Sequence, residues 1–269
     1  MDLAAQPHRR QNAVMSTHKF KNIKPLPPRL PATQFWGLCF IVWMILQVPM
    51  ARIPILFLST WAHELGHGLG AVFTGGNFIE LTVFPNFSGL AQTQTSTTFQ
   101  RAMVILLGLL GPSLLGVLMI FLTRALNWYR VALVVLAALL AISQLWAADS
   151  FTRIALGGGT VILGLIAWKI PNQAVLYISH IIAIALCLNA LTGFGYFFIG
   201  NAEIAGSIYQ SDTGVMADIL GGPYWLWGAL IAALSIIILF AGVVLSDKWA
   251  RKKDGPTRPN SGSSSGRFG

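Results

Sequence analysis

Charged residues are scarce in this chain. Only 10% of its 269 residues are Asp, Glu, Lys or Arg, whereas 55% are hydrophobic. An ordinary soluble domain carries roughly a quarter of its residues as charges. So little charge cannot cover a surface exposed to water, which argues against a soluble globule. The composition instead predicts an integral, multi-pass membrane protein, expected in a plasma or inner membrane.

Acidic residues are rarer than basic ones, with nine against 18. The basic residues concentrate in residues 1–32, before the first apolar run, and in residues 247–269, after the last. Charge in these places orients a membrane protein and contacts lipid headgroups, so nucleic-acid binding is not expected. Cysteine is scarce too. Cys39 and Cys187 both lie inside apolar runs, which argues against a disulfide framework.

Long apolar runs dominate the rest of the chain. Each run is predicted to be a helix, because backbone groups in lipid must find hydrogen-bond partners within their own segment. The predicted fold class is an all-α polytopic membrane protein with about six to seven transmembrane helices. Residues 33–246 are expected to form one membrane-embedded domain, between a basic cytoplasmic segment (1–32) and a basic, Gly/Ser-rich disordered tail (247–269). The apolar runs cover residues 33–48, 53–73, 102–123, 131–148, 154–168, 174–199 and 223–246.

The two basic termini create a conflict with seven crossings. Both termini favour the cytoplasmic side, whereas an odd number of crossings places them on opposite sides. One apolar run is therefore expected not to span fully. The candidates are the short fifth run, which contains Gly157, Gly158 and Gly159, and one of the first two runs.

Residues 77–96, between the second and third runs, differ in character from the rest. Ile79, Leu81 and Val83 alternate with other side chains, and the residues from Pro85 to Gly89 are typical of a turn. This pattern predicts a small β-hairpin inserted beside the membrane. The hairpin is a candidate for binding an extended substrate along an edge strand, and equally for a structural cap.

The most specific motif is His63-Glu64-Leu65-Gly66-His67, an H-E-x-x-H pentad inside the second apolar run. On a helix, positions i and i+4 share one face, so both imidazoles can bind one zinc ion while Glu64 reaches a metal-bound water. Ionisable residues within a membrane are expensive and usually functional. The alternative is that these side chains only pack or hydrogen-bond between helices.

A catalytic zinc site needs a third protein ligand and an open position for water. Asp212 is the first choice, since it follows Ser211 directly before a helical-looking stretch near the last run, and Asp218 is the second. A carboxylate at a helix start is also favoured by the helix dipole alone. The other acidic candidates are interpreted as helix-end or loop charges: Glu80, Asp149 and Glu203.

Other polar and small residues within the apolar runs have simpler interpretations. His180 is expected to be a hydrogen-bonded packing residue, and Asn189 either bonds between helices or faces the site. The glycines of the second and third runs predict close helix packing. They are Gly66, Gly70, Gly108, Gly111 and Gly116.

Several segments together resemble one family. They are His63–Gly68, Gly75-Gly76, Leu110–Ser113, Cys187–Leu191, Ser211-Asp212 and Gly222–Trp227. The resemblance is to the site-2-protease-type intramembrane zinc metallopeptidases, in particular the small bacterial and plant branch without a PDZ domain. It covers most of residues 35–245, and its most specific element is the pentad.

The resemblance implies that His63 and His67 bind Zn²⁺, that Glu64 is the general base, and that a late aspartate is the third ligand. Better-known members carry that aspartate in an Asn-Pro…Leu-Asp-Gly motif. Residues 189–193 here read Asn-Ala-Leu-Thr-Gly and have no aspartate, so similarity to the small branch assigns the role to Asp212. The implied substrates are transmembrane or membrane-associated proteins.

Three other functions fit parts of the sequence. A prenyl-protein-processing type of metalloprotease would use a glutamate, such as Glu203, as third ligand. A transporter could use the histidines as a metal transit site and would not need Glu64. A catalytically inactive scaffold could retain the pentad while binding other membrane proteins.

Overall fold

The computed structural model describes residues 29–204 and 206–254, and only the backbone of residues 253 and 254. The predicted segment before residue 29 and the predicted tail from residue 255 lie outside the described residues. The described part is mostly helical. Its elements are α1 (Ala32–Ile45), α2 (Pro49–Phe73), β1 (Asn77–Val83), β2 (Gly89–Gln94), α3 (Thr98–Ile120, continued by a π-helical turn Phe121–Ala125), α4 (Tyr129–Ser143), α5 (Ser150–Lys169), α6 (Asn172–Thr192, continued by a 3₁₀ turn Gly193–Phe198), β3 (Asn201–Ile204), β4 (Ser207–Gln210), α7 (Asp212–Leu220) and α8 (Tyr224–Asp254).

Four helices of the described part are long and apolar enough to cross a membrane, and the bent pair α1–α2 makes up to five. The four are α3, α5, α6 and α8 with their helical extensions. The predicted count of six to seven spans is not confirmed. Helix α4, with 15 residues, is shorter than a full span. These apolar helices indicate an integral membrane protein.

Of the two candidates for an incomplete crossing, the fifth run is the wrong one, because it lies in a helix that is long and apolar enough to span. Helix α5 continues through all three glycines for 20 residues, because it begins earlier than the apolar run. Asp149 is its N-cap, and the Asp149 carboxylate accepts a hydrogen bond from the backbone N–H of Thr152 at 3.0 Å. The polar first turn that this cap stabilises is invisible to a search for apolar runs.

The break lies instead between α1 and α2, whose axes differ by 105°. Pro49 is the first residue of α2, and Val48 before it is extended (φ −86°, ψ 115°). The proline ring disfavours helical geometry in the residue before it, which favours the end of one helix and the start of the next at this point. The first two apolar runs therefore form a bent pair of helices, and one of these two runs was a candidate for an incomplete crossing.

Helices α2 and α3 pack antiparallel with almost no space between them. A Cβ atom added to Gly66 would lie 2.3 Å from the Leu107 carbonyl oxygen, and one added to Gly111 would lie 2.3 Å from the Ala62 carbonyl oxygen. No real side chain tolerates such distances, so only glycine allows this approach. The predicted role of these glycines in close helix packing is confirmed.

The predicted hairpin is present as the antiparallel pair β1–β2. The outer edge of β1 is occupied, because Leu81 accepts a hydrogen bond from the backbone of Ala148 and donates one to Trp146. The outer edge of β2 pairs with no other strand among the described residues. A second antiparallel hairpin, β3–β4, was not predicted, and it contains Glu203, which the sequence indicates only as a loop charge.

Candidate metal centre

The two histidines of the pentad lie one turn apart on α2 and face the same point. Their Nε2 atoms are 3.1 Å apart. His67 is buried, and its Nδ1 lies 3.0 Å from the carbonyl oxygen of Val104 on α3. A carbonyl accepts only from an N–H, so this contact places the ring proton on Nδ1 and leaves the Nε2 lone pair available as a ligand.

Asp212 reaches the same point from a distant part of the chain. It is the first residue of α7, and the N-cap is Ser211, whose hydroxyl oxygen accepts a hydrogen bond from the Gly214 N–H at 3.1 Å. The Asp212 Oδ2 atom lies 3.0 Å from Nε2 of His63 and 3.5 Å from Nε2 of His67. The structure thus brings the first-choice carboxylate together with both histidines.

The three donor atoms fit a zinc ion. Ligand atoms about 2.0–2.2 Å from a tetrahedral zinc lie roughly 3.3–3.6 Å from one another, and the three separations here, 3.0, 3.1 and 3.5 Å, come close to that range. Three protein ligands leave the fourth position open, as in catalytic zinc sites. Among the described residues, this is the group of His, Cys, Asp and Glu side chains that is arranged to hold a metal.

The electrostatics of Asp212 favour its ionised form. Burial alone would raise the pKa of this carboxyl, but the charge of His67 and hydrogen bonds from both histidines, which act when the Nε2 atoms carry protons instead of binding a metal, hold the pKa well below its usual range. The Tyr196 hydroxyl donates a further hydrogen bond to Asp212 Oδ2 at 3.2 Å. A carboxylate held in this way is the form that a metal binds.

Glu64 lies beside the three donors but is not one of them. Its side chain is 5% exposed, and its carboxylate interacts with the backbone of Ala91 on β2. A Cβ atom added to Gly89, also on β2, would lie 2.3 Å from Oε1 of Glu64. The hairpin therefore packs directly against the carboxylate, and glycine at position 89 is what permits it.

Two cavities meet at His63 and Glu64. One, of about 410 Å³, has mainly apolar walls from α3, α6 and the following 3₁₀ turn, with polar groups from Ser59, Thr60 and Asn189. The other, of about 690 Å³, is polar and lies along β2 and the start of α3. Its polar lining includes Thr93, Gln94, Thr95, Ser96, Thr97, Thr98 and Arg101.

The other acidic candidates lie away from the three donors. Asp218, the second choice, is exposed and accepts a hydrogen bond from the Gln210 amide at 2.7 Å. Asp149 caps α5. Glu80 lies in the ladder of β1 and β2, opposite Gln92. Glu203 lines the apolar cavity without joining the donor group.

The structure shows the surroundings of two polar residues in α6 whose roles were predicted from the sequence. His180 is buried, with Nδ1 2.7 Å from the Leu176 carbonyl oxygen, which confirms its interpretation as a hydrogen-bonded packing residue. Asn189 has both of its proposed roles, since it accepts from Arg52 at 3.4 Å and also lines the apolar cavity. Cys39 and Cys187 are both free.

Tyr196 was missed by the sequence analysis. Its ring lies edge-on to His63 with centroids 5.8 Å apart, in addition to its hydrogen bond to Asp212. It follows the end of α6 within an aromatic stretch, Phe194 to Phe198, that looks like ordinary apolar packing. The one feature of the sequence that could have identified Tyr196 is its hydroxyl group, which the other residues of that stretch lack.

A family model described as Peptidase M50B-like matches residues 35–242. This range begins in α1, ends within α8, and includes all three donor residues and Glu64. No curated protein and no solved structure matches the chain.

Proposed function

The chain belongs to the Peptidase M50B-like family, a site-2 protease family, and from this premise we propose that it is an intramembrane zinc metalloprotease that cleaves membrane proteins. The observation that carries the proposal is the convergence of His63, His67 and Asp212 at the spacing of zinc ligands. Glu64 is the proposed catalytic residue. We propose that residues 33–246 form the membrane-embedded protease domain.

The proposed chemistry is hydrolysis of a peptide bond. A bound zinc ion would supply Lewis acidity and lower the pKa of water towards about 7. Glu64 takes a proton from the attacking water as the new bond from oxygen to the carbonyl carbon forms. Glu64 then returns this proton to the amide nitrogen as the C–N bond breaks. Tyr196 and Val104 hold Asp212 and His67 in the orientation that metal binding requires.

The proposed substrate site is the open edge of β2. Leu81 directs its backbone groups away from β2, towards Trp146 and Ala148. In an antiparallel pair, the opposed residue Ala91 then directs its own groups to the other side of the hairpin. That side faces Glu64 and the polar cavity. An extended substrate added along this edge would carry its peptide bonds past the site.

The decisive experiment measures zinc per purified chain. We expect stoichiometric zinc in the wild type and loss of zinc in His63→Ala, His67→Ala and Asp212→Ala. The matched control is Asp218→Ala, which removes a carboxylate from the same helix and should retain zinc. The proposed ligand set is wrong if Asp212→Ala keeps its zinc. Loss of zinc in Glu203→Ala would instead support the prenyl-processing type of metalloprotease.

A second variant separates hydrolysis from metal binding. Glu64→Gln should retain zinc while cleavage of a membrane-protein reporter falls by at least about 100-fold, since a neutral amide cannot accept the proton. A transporter would keep its metal transport in this variant. Full zinc content with undiminished cleavage in Glu64→Gln would exclude the proposed mechanism.

A further inference from the structure

One end of the helix bundle is defined by contacts between four chain segments. The Arg29 guanidinium, just before α1, donates to the carbonyl oxygen of Ala250 near the end of α8 at 2.8 Å. Arg124, in the π-helical turn after α3, forms an ion pair with Asp247 of α8. Its guanidinium also lies 4.1 Å from the ring centroid of Phe35 in α1. The start of α1 and the ends of α3 and α8 therefore lie at one face.

The junction of α5 and α6 belongs to the same end as the start of α4. Arg130, in the first turn of α4, donates to the side chain of Asn172 at 2.8 Å and to the carbonyl oxygen of Ile170 at 2.6 Å. Because α4 follows the π-helical turn after only a few residues, this junction lies near Arg124. We call this end of the bundle the basic face.

The opposite end carries both hairpins and the connection between α4 and α5. Gln100, in the first turn of α3, donates to the Thr74 carbonyl oxygen after α2 at 2.8 Å. Strand β1 bonds to Trp146 and Ala148, which follow α4. The 3₁₀ turn after α6 packs against both α7 and the start of α8, where Gly228 touches the Phe197 carbonyl. We call this end the hairpin face.

These contacts give a consistent number of passes between the two faces. Helix α2 runs towards the hairpin face, α3 returns, and α4, α5, α6 and α8 follow in alternation. The short α1 lies across the start of α2, at 105° to it, and adds no pass of its own. The described part thus passes six times between the two faces, counting the short α4, and both of its ends lie at the basic face. This resolves the conflict between two basic termini and an odd number of crossings.

Basic side chains are distributed very unequally between the two faces of the described part. Arg52 lies between the two faces, where its side chain donates a hydrogen bond to Asn189. At the hairpin face the described basic residues are Arg101 and Arg153. At the basic face they are Arg29, Arg124, Arg130, Lys169, Lys248, Arg251 and Lys252. Basic residues beside membrane spans are retained on the cytoplasmic side, so this distribution orients the molecule.

The candidate metal centre lies nearer the hairpin face. Gly108 of α3 is the residue directly against the His67 ring. It stands ten residues from the start of α3, about 15 Å at 1.5 Å per residue. The end of the π-helical turn at Ala125 is 17 residues further, about 25 Å away. The polar cavity beside the centre is also built from hairpin-face segments.

From the charge distribution and this position, we infer that the metal centre opens to the extracytoplasmic side. Its substrates, which presuppose the proposed protease function, are membrane proteins whose scissile bond lies near the extracytoplasmic end of the membrane segment. The two cavities suit such a segment. Its apolar part fits the apolar cavity, and the polar residues flanking it fit the hydroxyl- and amide-lined cavity along β2.

The test compares two glutamines replaced by cysteine. Gln92 on β2 and Gln173 at the start of α6 are both exposed and lie at opposite faces. A membrane-impermeant thiol reagent is applied to intact cells expressing Gln92→Cys or Gln173→Cys. The parent chain, with Cys39 and Cys187, gives the background. We expect Gln92→Cys to be labelled before permeabilisation and Gln173→Cys only after it.

The opposite labelling pattern would overturn the orientation, and labelling of both positions from one side would overturn the six-pass topology. Ile208→Cys on β4, where Ile208 is 80% exposed, gives a second hairpin-face position in case the β2 variant fails to accumulate. This measurement needs neither zinc nor cleavage. A chain that labels as expected but binds no zinc contradicts the protease proposal alone, whereas a zinc-binding protease with reversed labelling contradicts this inference alone.

Discussion

At the scale of single residues, Gly108 decides how closely α3 approaches the metal centre. A Cβ atom at this position would lie 2.2 to 2.5 Å from three atoms of the His67 ring. The ring cannot retreat freely, because its Nδ1 is bonded to Val104 on the same helix α3. An additional methyl group must therefore either rotate the ring away from Asp212 or separate α2 from α3.

We predict that Gly108→Ala weakens zinc binding. Overpacking of this kind costs about 1–3 kcal/mol, which corresponds to roughly a fivefold to 150-fold loss of zinc affinity if the whole cost falls on the zinc-bound geometry. Competition with a chelator of known affinity measures it. Gly158→Ala in α5 is the matched control, since its Cβ would meet open space and alanine favours a helix. Equal zinc affinity in the two variants would contradict the prediction.

At the scale of elements, the β1–β2 hairpin has two different edges. The edge of β1 is joined to Trp146 and Ala148 and so serves the fold. The edge of β2 pairs with no described strand and faces Glu64. An unpaired edge exposes backbone donors and acceptors that another chain can complete. This asymmetry is the physical basis for assigning substrate binding to β2 rather than β1.

Ala91→Pro tests that assignment. Proline removes the outward N–H of Ala91, and with it the backbone contact to Glu64, while leaving the ladder between β1 and β2 intact, because proline is tolerated where the N–H faces outward. Thr93→Pro removes the next outward N–H of β2 without removing the contact to Glu64, so a loss of cleavage in both variants assigns the loss to docking. We expect reporter cleavage to fall by at least tenfold, roughly the loss of one or two hydrogen bonds, with zinc content unchanged. Gln92→Pro is the informative contrast, since it breaks the ladder itself and should also lower thermal stability. Wild-type cleavage by Ala91→Pro would exclude docking along β2.

At the scale of the whole molecule, the basic face is closed by the ion pair of Arg124 and Asp247. Arg124 is 7% exposed and belongs to the π-helical turn after α3. Its partner lies on α8, which is the last helix of the described chain. A charge at this depth is expensive without its counter-charge. The pair therefore holds the end of α8 to the turn that follows α3.

Asp247→Asn should consequently destabilise the fold by on the order of 3 kcal/mol, because it leaves the Arg124 charge buried without its partner. Thermal unfolding of the purified protein in detergent is the measurement, with a fall of several degrees expected. The matched control is Asp218→Asn, an exposed carboxylate on α7, which should change the midpoint little. Zinc content should survive Asp247→Asn at temperatures below the transition, because the pair lies at the face remote from the metal centre.

Local patterns allowed much of this architecture to be predicted. Apolar runs located the long helices, and the alternation around Leu81 located the β1–β2 hairpin. The errors arose where an element depends on something other than hydropathy. Helix α5 is longer than its apolar run because Asp149 caps a polar first turn. Every residue of the β3–β4 hairpin is exposed or half-buried, so no buried apolar face marks this hairpin in the sequence.

The sequence by itself determined that this is a membrane protein and that His63 and His67 share one face, since both follow from composition and the 3.6-residue period of a helix. Only the tertiary structure decided which carboxylate joins them, that Tyr196 orients it, and that the centre lies towards the hairpin face. Those features depend on contacts between segments far apart in the chain. Local periodicity carries no information about such contacts. They arise from the packing of α7 against α3 and of α2 against α3.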